Sequence, residues 1–356
     1  MRKLAFATVA AFFTLFSAWA QPQDSVYKKK KLTFEEASLV SSYYRQSGDN
    51  AVVTGGIGSQ KLTDISNIID VRWVKYDKKD RKNILNAELG IDHYSSASSD
   101  MVDLKANSSA SSADTRFYPS VSLTRENSVK GSSVGISLGY SHEFDYDSFN
   151  AGFSFSQKTK NRNGEFSARL QGFADKVRLI LPIELRNSAS GEDEEEGSGY
   201  SNRNSVDLSL NYSQIINKRL QVSLHTDLVH QSGFLSLPFH RVYFNDGSVH
   251  QELLPDNRLK IPLGVRANYF LGDRFIVKTY YRYYTDSWGI RSHTMDLEVP
   301  VKLNAFLSVS PFYRYYTQTA VDYFKAYGEH TAQDKYYTSN YDLSKFNSSF
   351  FGAGIR

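Results

Sequence analysis

Between residues 134 and 146 apolar and polar side chains alternate with a period of two. Val134, Ile136, Leu138, Tyr140, Phe144 and Tyr146 fall on one face with His142, and Gly135, Ser137, Gly139, Ser141, Glu143 and Asp145 on the other. A helix, repeating about every 3.6 residues, would mix these sets, so the spacing predicts a strand with one apolar face. Leu85, Ala87, Leu89 and Ile91 oppose Asn86, Glu88, Gly90 and Asp92 in the same way, and Val206, Leu208, Leu210 and Tyr212 oppose Asp207, Ser209, Asn211 and Ser213. Four more segments follow the rule, around 222–228, 261–269, 297–303 and 309–315, with Asp227, Arg266, Asp296, Glu298, Lys302 and Arg314 among the residues on their polar faces.

A soluble β-sandwich alternates too, so the connections have to decide. They come in two sizes. Short ones fall at 78–82, 128–131, 161–165, 217–219, 272–274 and near Asn304, and long ones at about 94–114, 187–204, 231–258 and 319–348. No helical pattern intervenes. Tight turns at one end and extended loops at the other predict an all-β fold, a transmembrane antiparallel up-and-down β-barrel. Placing every long loop outside requires an early strand near residues 38–44 and gives about 14 strands in this chain. Barrels of this class finish in a strand with a terminal aromatic, so the expected full count is about 16, with closing strands beyond the stub at 350–356.

Residues 1–20 have the layout of a secretory signal: Arg2 and Lys3, an apolar run from Leu4 to Phe16, and the small-x-small pattern Ala18, Trp19, Ala20. The apolar run is short of the ~20 residues a membrane helix needs. Residues 21–36, with Lys28 to Lys31, read as a polar periplasmic lead-in, and the barrel as 37–356. Composition sharpens the picture. The chain has 24 Tyr and 23 Phe but no cysteine, and its mean hydropathy is −0.45. A barrel accommodates this, since only alternate residues face lipid and aromatics gather at the interfaces. The missing thiols exclude disulfides, thiol catalysis and thiolate metal sites. Without Arg2 and Lys3, 40 basic side chains stand against 38 acidic ones, interspersed, so nucleic acid is not an implied partner while outer-membrane lipid is.

Several constellations are candidates for function. Tyr281, Arg282, Tyr283, Tyr284, Thr285 repeats as Tyr313, Arg314, Tyr315, Tyr316, Thr317, which puts Arg282 and Arg314 on the polar face. They could hold an anionic substrate, or be neutralised in charged ladders with Asp296, Glu298 and Lys302. Arg266, Glu143 and Asp227 are further lumen candidates. The run from Phe234 to Phe244, including Phe239, His240, Arg241 and Tyr243, is too apolar for a free outer loop. It is expected to fold inward as a plug or to dock a partner. Serine-rich repeats at 95–99 and 108–112, each followed by an aspartate, read as the stem of one loop, and Glu192 to Glu196 as a solvated tip. Thr54 to Gly58 is glycine-rich without the Lys-Ser/Thr ending of a phosphate loop and reads as a turn. The eight histidines form no metal-ligand spacing, so no enzyme, metal or cofactor is implied.

Certain runs resemble the DUF3570 family: Thr-Gly-Gly-Ile-Gly at 54–58, Tyr-Ser-Ser-Ala-Ser-Ser-Asp at 94–100, Leu-Pro-Phe-His-Arg-Val-Tyr-Phe at 237–244, Pro-Phe-Tyr-Arg-Tyr-Tyr-Thr-Gln-Thr at 311–319 and Tyr-Tyr-Thr-Ser-Asn-Tyr-Asp-Leu-Ser at 336–344. The resemblance implies a Bacteroidetes outer-membrane barrel encoded near a small lipoprotein, a thioredoxin-like protein and a flavin transferase. It supplies no catalytic residues. The expected function is a barrel that hosts or passes a partner, within an exported redox or flavin-linked envelope system. A diffusive porin is the alternative, and a surface enzyme relying on His142, His225 or His240 the third reading.

Overall fold

A computed structural model of the chain describes residues 31–47, 62–95, 113–179, 185 and 199–356. The signal segment, residues 21–30 of the lead-in, the glycine run at 54–58, the serine repeats at 96–99 and 108–112 and the acidic run at 192–196 lie outside these.

Nine strands follow one another as an antiparallel meander: β1 (Thr33–Gln46), β2 (Leu62–Tyr76), β3 (Lys82–Ser95), β4 (Ala113–Asn127), β5 (Ser132–His142), β6 (Tyr146–Lys158), β7 (Gly164–Arg178), β8 (Tyr200–Asn217) and β9 (Leu220–Gly233). A separate small hairpin, β10 (Arg241–Tyr243) and β11 (Val249–Gln251), interrupts them. The meander resumes with β12 (Asn257–Leu271), β13 (Phe275–Asp286), β14 (Arg291–Glu298), β15 (Val301–Lys302), β16 (Ser308–Gln318) and β17 (Phe346–Ile355). β14 and β15 both lie between β13 and β16 and form one line, broken where Pro300 has no N–H for the ladder. Counted as one, they leave 14 strands in the sheet, as the alternation predicts. β1 pairs with β2 and β17 with β16, so these two are the edges of the described sheet.

The two faces are inverted relative to a soluble protein. Ile136 and Leu138 are 56 % and 52 % exposed, whereas Ser141, Ser148, Asp175 and Ser292 are buried. Apolar side chains outside and polar ones inside are what a sheet facing hydrocarbon requires, because its backbone groups are satisfied by neighbouring strands. All the connections of more than ten residues lie at one end, which we term the outer end. The strand ends there are linked by the connections 47–61, 96–112, 179–199, 234–256 and 319–345 and by two tight reversals, at 143–145 and 287–290.

Three expectations need correction. The run 134–146 is not one strand: β5 ends at His142, the chain reverses with Glu143 N–H donating to Tyr146 O at 2.8 Å, and β6 begins at Tyr146. The reversal places Tyr146 on the inner face, with the Arg203 guanidinium 5.0 Å from its ring centroid. Alternation misses such a turn because Phe144 happens to keep the apolar parity across it. The segment 297–303 is the end of the interrupted line β14–β15. The first strand starts at Thr33, four residues inside the span read as lead-in, since Thr33 already pairs with Val74.

Candidate functional site

Two outer connections, 234–256 and 319–345, fold together at the outer ends of β9, β12–β14, β16 and β17. Their sequence order explains the pairing: Phe244 bridges His330, Leu253 bridges Tyr337 and Phe324 bridges Thr338. Asp246 closes the β10–β11 turn by accepting from the Ser248 N–H and hydroxyl at 2.9 and 2.6 Å. Beneath lies a small apolar core of Leu254, Trp288, Ile290 and Val321, packed against Leu235, Tyr284, Tyr323, Phe324 and Leu343. Trp288 anchors it. Its indole N–H donates to Asn257 O at 2.9 Å, and the Arg258 guanidinium lies 4.2 Å from the ring centroid. Gly289, at φ +94°, makes the turn that delivers it, in a region disfavoured for residues with a Cβ. The result is a folded cap.

Charged and polar groups within the cap are ordered by burial. Glu252, 2 % exposed, accepts from Leu237 N–H at 2.6 Å and from the Thr338 hydroxyl. Burial raises its carboxyl to about 7, against the pull of those two donors. His330 aims one ring nitrogen at Thr338 O, 3.0 Å, and the other at Asp334, 3.1 Å. The Lys325 ammonium at 2.7 Å and the Thr331 N–H hold Asp334 down at about 2. His240 is fully buried, and neither ring nitrogen has a hydrogen-bond partner among the described residues. Burial, aided by Arg241, lowers it to about 3.

The run from Phe234 to Phe244 lies within this cap. Phe234 and Phe239 are half-buried, His240 and Arg241 buried, and the Tyr243 ring centroid sits 4.6 Å from that of Tyr327. The apolar character of 234–244 is accounted for by docking on the chain's own 319–345 connection. Sequence reasoning did not single out Glu252, Thr338, His330 or Trp288. The signal available was the run at 336–344, which lies within the 319–345 half of the cap.

On the inner wall, charged side chains pair across neighbouring strands. Arg314 binds Asp296, and Glu298 takes Lys278 at 3.0 Å rather than Lys302, which lies exposed on β15. Arg258 pairs with Asp286, and Arg203 with Asp175 at 3.2 Å. Arg282 and Arg266 are in no ion pair among the described residues, and the Nε of Arg282 is buried without an acceptor. Asp227 stands opposite Ser209, next to Asp207. Glu143 belongs to the outer rim, where its carboxylate accepts from the Tyr94 hydroxyl at 2.6 Å and meets Arg116 at 3.4 Å. Asp114, Glu143 and Asp145 bring carboxylate oxygens within 4.8 Å of one another there.

The histidines are dispersed. His142 pairs with Asp147 at 2.7 Å, His225 with Ser223 at 2.9 Å on the inner wall, and His240 lies in the cap.

Residues 97–356 match the family described as "Protein of unknown function (DUF3570)", which is 260 of 356 residues. The chain belongs to this family. No curated protein matches it. Among solved structures, it is similar to the siderophore receptor PirA from Acinetobacter baumannii, at a TM-score of 0.52 and 12 % identity, over 91 % of this chain and 51 % of the receptor. A mutant of the ferric enterobactin receptor PfeA from Pseudomonas aeruginosa aligns at 0.46 and 10 % identity, over 83 % of this chain and 45 % of that one. The family member shares an antiparallel barrel sheet with PirA and spans about half the length of these receptors.

Proposed function

We propose that this chain is an outer-membrane β-barrel of a Gram-negative envelope, transporter-like, whose lumen hosts or passes a ligand or partner under control of the folded outer cap. The observation that carries this is the cap itself: two outer connections interlock through Glu252 and Thr338 above a wall of ionised side chains. Likeness to the barrel of a siderophore receptor supports transport as the class of activity, while the receptor's ligand does not carry over to a chain of half its length.

A reversible lock tests the reading. Leu253 and Tyr337 are directly opposed and exchange backbone hydrogen bonds, so Leu253→Cys with Tyr337→Cys gives a disulfide of ordinary span in a chain without native cysteine. In planar bilayers, the oxidised form should conduct differently from the reduced form. A steady current, equal in both redox states, would favour the diffusive porin instead. A small lipoprotein or thioredoxin-like envelope protein is the partner class for the hosting role, within an exported redox or flavin-linked system. Co-purification from native membranes supports it, and its failure with every envelope protein in cross-linked membranes removes it.

A further inference from the structure

The inner wall of β12–β17 contains a cavity of about 420 Å³ that the cap does not involve. Its size is ordinary for a small-molecule site, roughly 300–1,000 Å³. Five ionised side chains line it, and four cancel: Lys278 with Glu298 at 3.0 Å, and Arg314 with Asp296 at 2.5 Å. The fifth is Arg266. It is exposed to the cavity and in no ion pair among the described residues.

Of the six other lining residues, Tyr280, Phe312, Tyr313 and Phe350 are aromatic, beside Thr279 and Leu297. The Arg266 guanidinium carbon lies 5.2 Å from the centroid of Tyr280. Tyr280 is itself fixed, by Gly264 on one side, where a Cβ would come within 2.8 Å of its hydroxyl, and by the edge-on ring of His225 at 6.3 Å. Phe312 and Phe350 complete the wall with centroids 5.4 Å apart. Phe350 is 57 % exposed although its neighbour Ser348 shares the polar face, so it is an apolar ring on the wrong side for lipid contact.

We propose that this cavity binds a small anion carrying a planar ring, with Arg266 taking its carboxylate or phosphate and Tyr280, Phe312 and Phe350 flanking the ring. The guanidinium presents a planar fork of donors to an oxyanion, and aromatic side chains offer flat apolar area at low entropic cost. The paired charges fix orientation without competing for the ligand, since each is already neutralised. The proposal deepens the reading above, because only a sheet that encloses a lumen shelters this wall.

The test is calorimetric titration of the full chain in lipid nanodiscs. The probes are 2-naphthoate and 2-naphthyl phosphate, with 2-naphthylmethanol and acetate as controls lacking the charge or the ring. Naphthoate, naphthyl phosphate or both should bind at least tenfold tighter than either control, and whichever oxyanion is preferred names the ligand's head group. Arg266→Gln should weaken binding at least tenfold, Arg266→Lys less, and Phe350→Ala should weaken it while leaving the preference for an anion. Heat-modifiable electrophoretic mobility confirms that each variant is folded. Equal binding of naphthylmethanol, or unchanged binding by folded Arg266→Gln, overturns the proposal without touching the capped-barrel reading. Failure of the cap lock to alter conductance would reject that reading while leaving the titration intact.

Discussion

The Thr338 hydroxyl donates to the Glu252 carboxyl at 2.5 Å, joining segments 86 residues apart in the chain. The bond is wholly buried, so its loss cannot be repaired by water. Thr338→Val keeps the shape and removes the donor, and is expected to cost the cap about 1–3 kcal/mol. Faster amide exchange at 249–253 and 336–340, with barrel strands unchanged, is the outcome that checks it. Exchange rates equal to wild type would show that the two connections do not hold each other.

Glu252 also makes the cap sensitive to pH. Its carboxyl titrates at about 7 when folded against an ordinary 4.5. The folded state therefore binds the proton more tightly, and this contribution is complete below about 4.5 and lost as pH rises through about 7. The span corresponds to about 3 kcal/mol. His240 acts in the opposite sense: lowered to about 3 from 6.5, it stabilises the cap above 6.5 and loses that contribution as pH falls toward 3. Comparing wild type with Glu252→Gln isolates the first group. The stability difference between them should shift in favour of the variant between pH 4.5 and 7, by exchange measured at 249–253, and be flat above. A difference independent of pH would mean that the carboxyl is not buried in solution.

Trp288 is 2 % exposed and is the largest member of the apolar core beneath the cap. Trp288→Ala removes that volume and the indole bond to Asn257, and is expected to destabilise the cap by about 3–5 kcal/mol. Limited proteolysis should then cut within 234–256 and 319–345 while the strands resist. Cuts spread through β1–β9 would show instead that the cap and sheet are one cooperative unit.

The difference between what the sequence disclosed and what it hid is physical. An outward apolar face takes every second residue of a strand, so Val134 to Leu138 or Leu224 to Leu228 reveal the sheet without knowledge of any partner strand. The cap has no such period. Leu254 is buried by Trp288, Ile290 and Val321, 34 to 67 positions away, and nothing local to Thr338 announces that Glu252 lies opposite. Only the excess apolar character of 234–244 was legible, and it left open which surface would cover it. The ladder was intermediate: polarity placed Arg314, Asp296 and Glu298 on the inner face, but register decided that Glu298 meets Lys278 and that Arg266 meets no acid among the described residues.

Gly289 tests the turn that delivers Trp288. An alanine Cβ there would lie 2.2 Å from Asp322 Oδ1, and φ is +94°. Gly289→Ala should cost about 1–3 kcal/mol through strain and displacement of the aspartate. The change should appear as weaker protection of 319–323 in hydrogen exchange. Since Gly272, at φ +66°, has nothing near its missing Cβ, Gly272→Ala should cost less, and equal losses at both sites would remove the argument from close approach.

The orientation of the sheet is tested by placing one charge on either face. Ile136, 56 % exposed at the centre of β5, faces hydrocarbon in this reading, and Ile136→Lys should cost about 2–4 kcal/mol near the bilayer midplane. Ser209 is on the inner face of β8, opposite Asp227, with its hydroxyl 3.4 Å from Asp207. A lysine there gains two carboxylate neighbours, so Ser209→Lys should be near neutral. Urea titration of protein refolded in vesicles, read by heat-modifiable mobility, measures both. Equal penalties, or a larger one for Ser209→Lys, would mean that the apolar face is not the one turned to lipid.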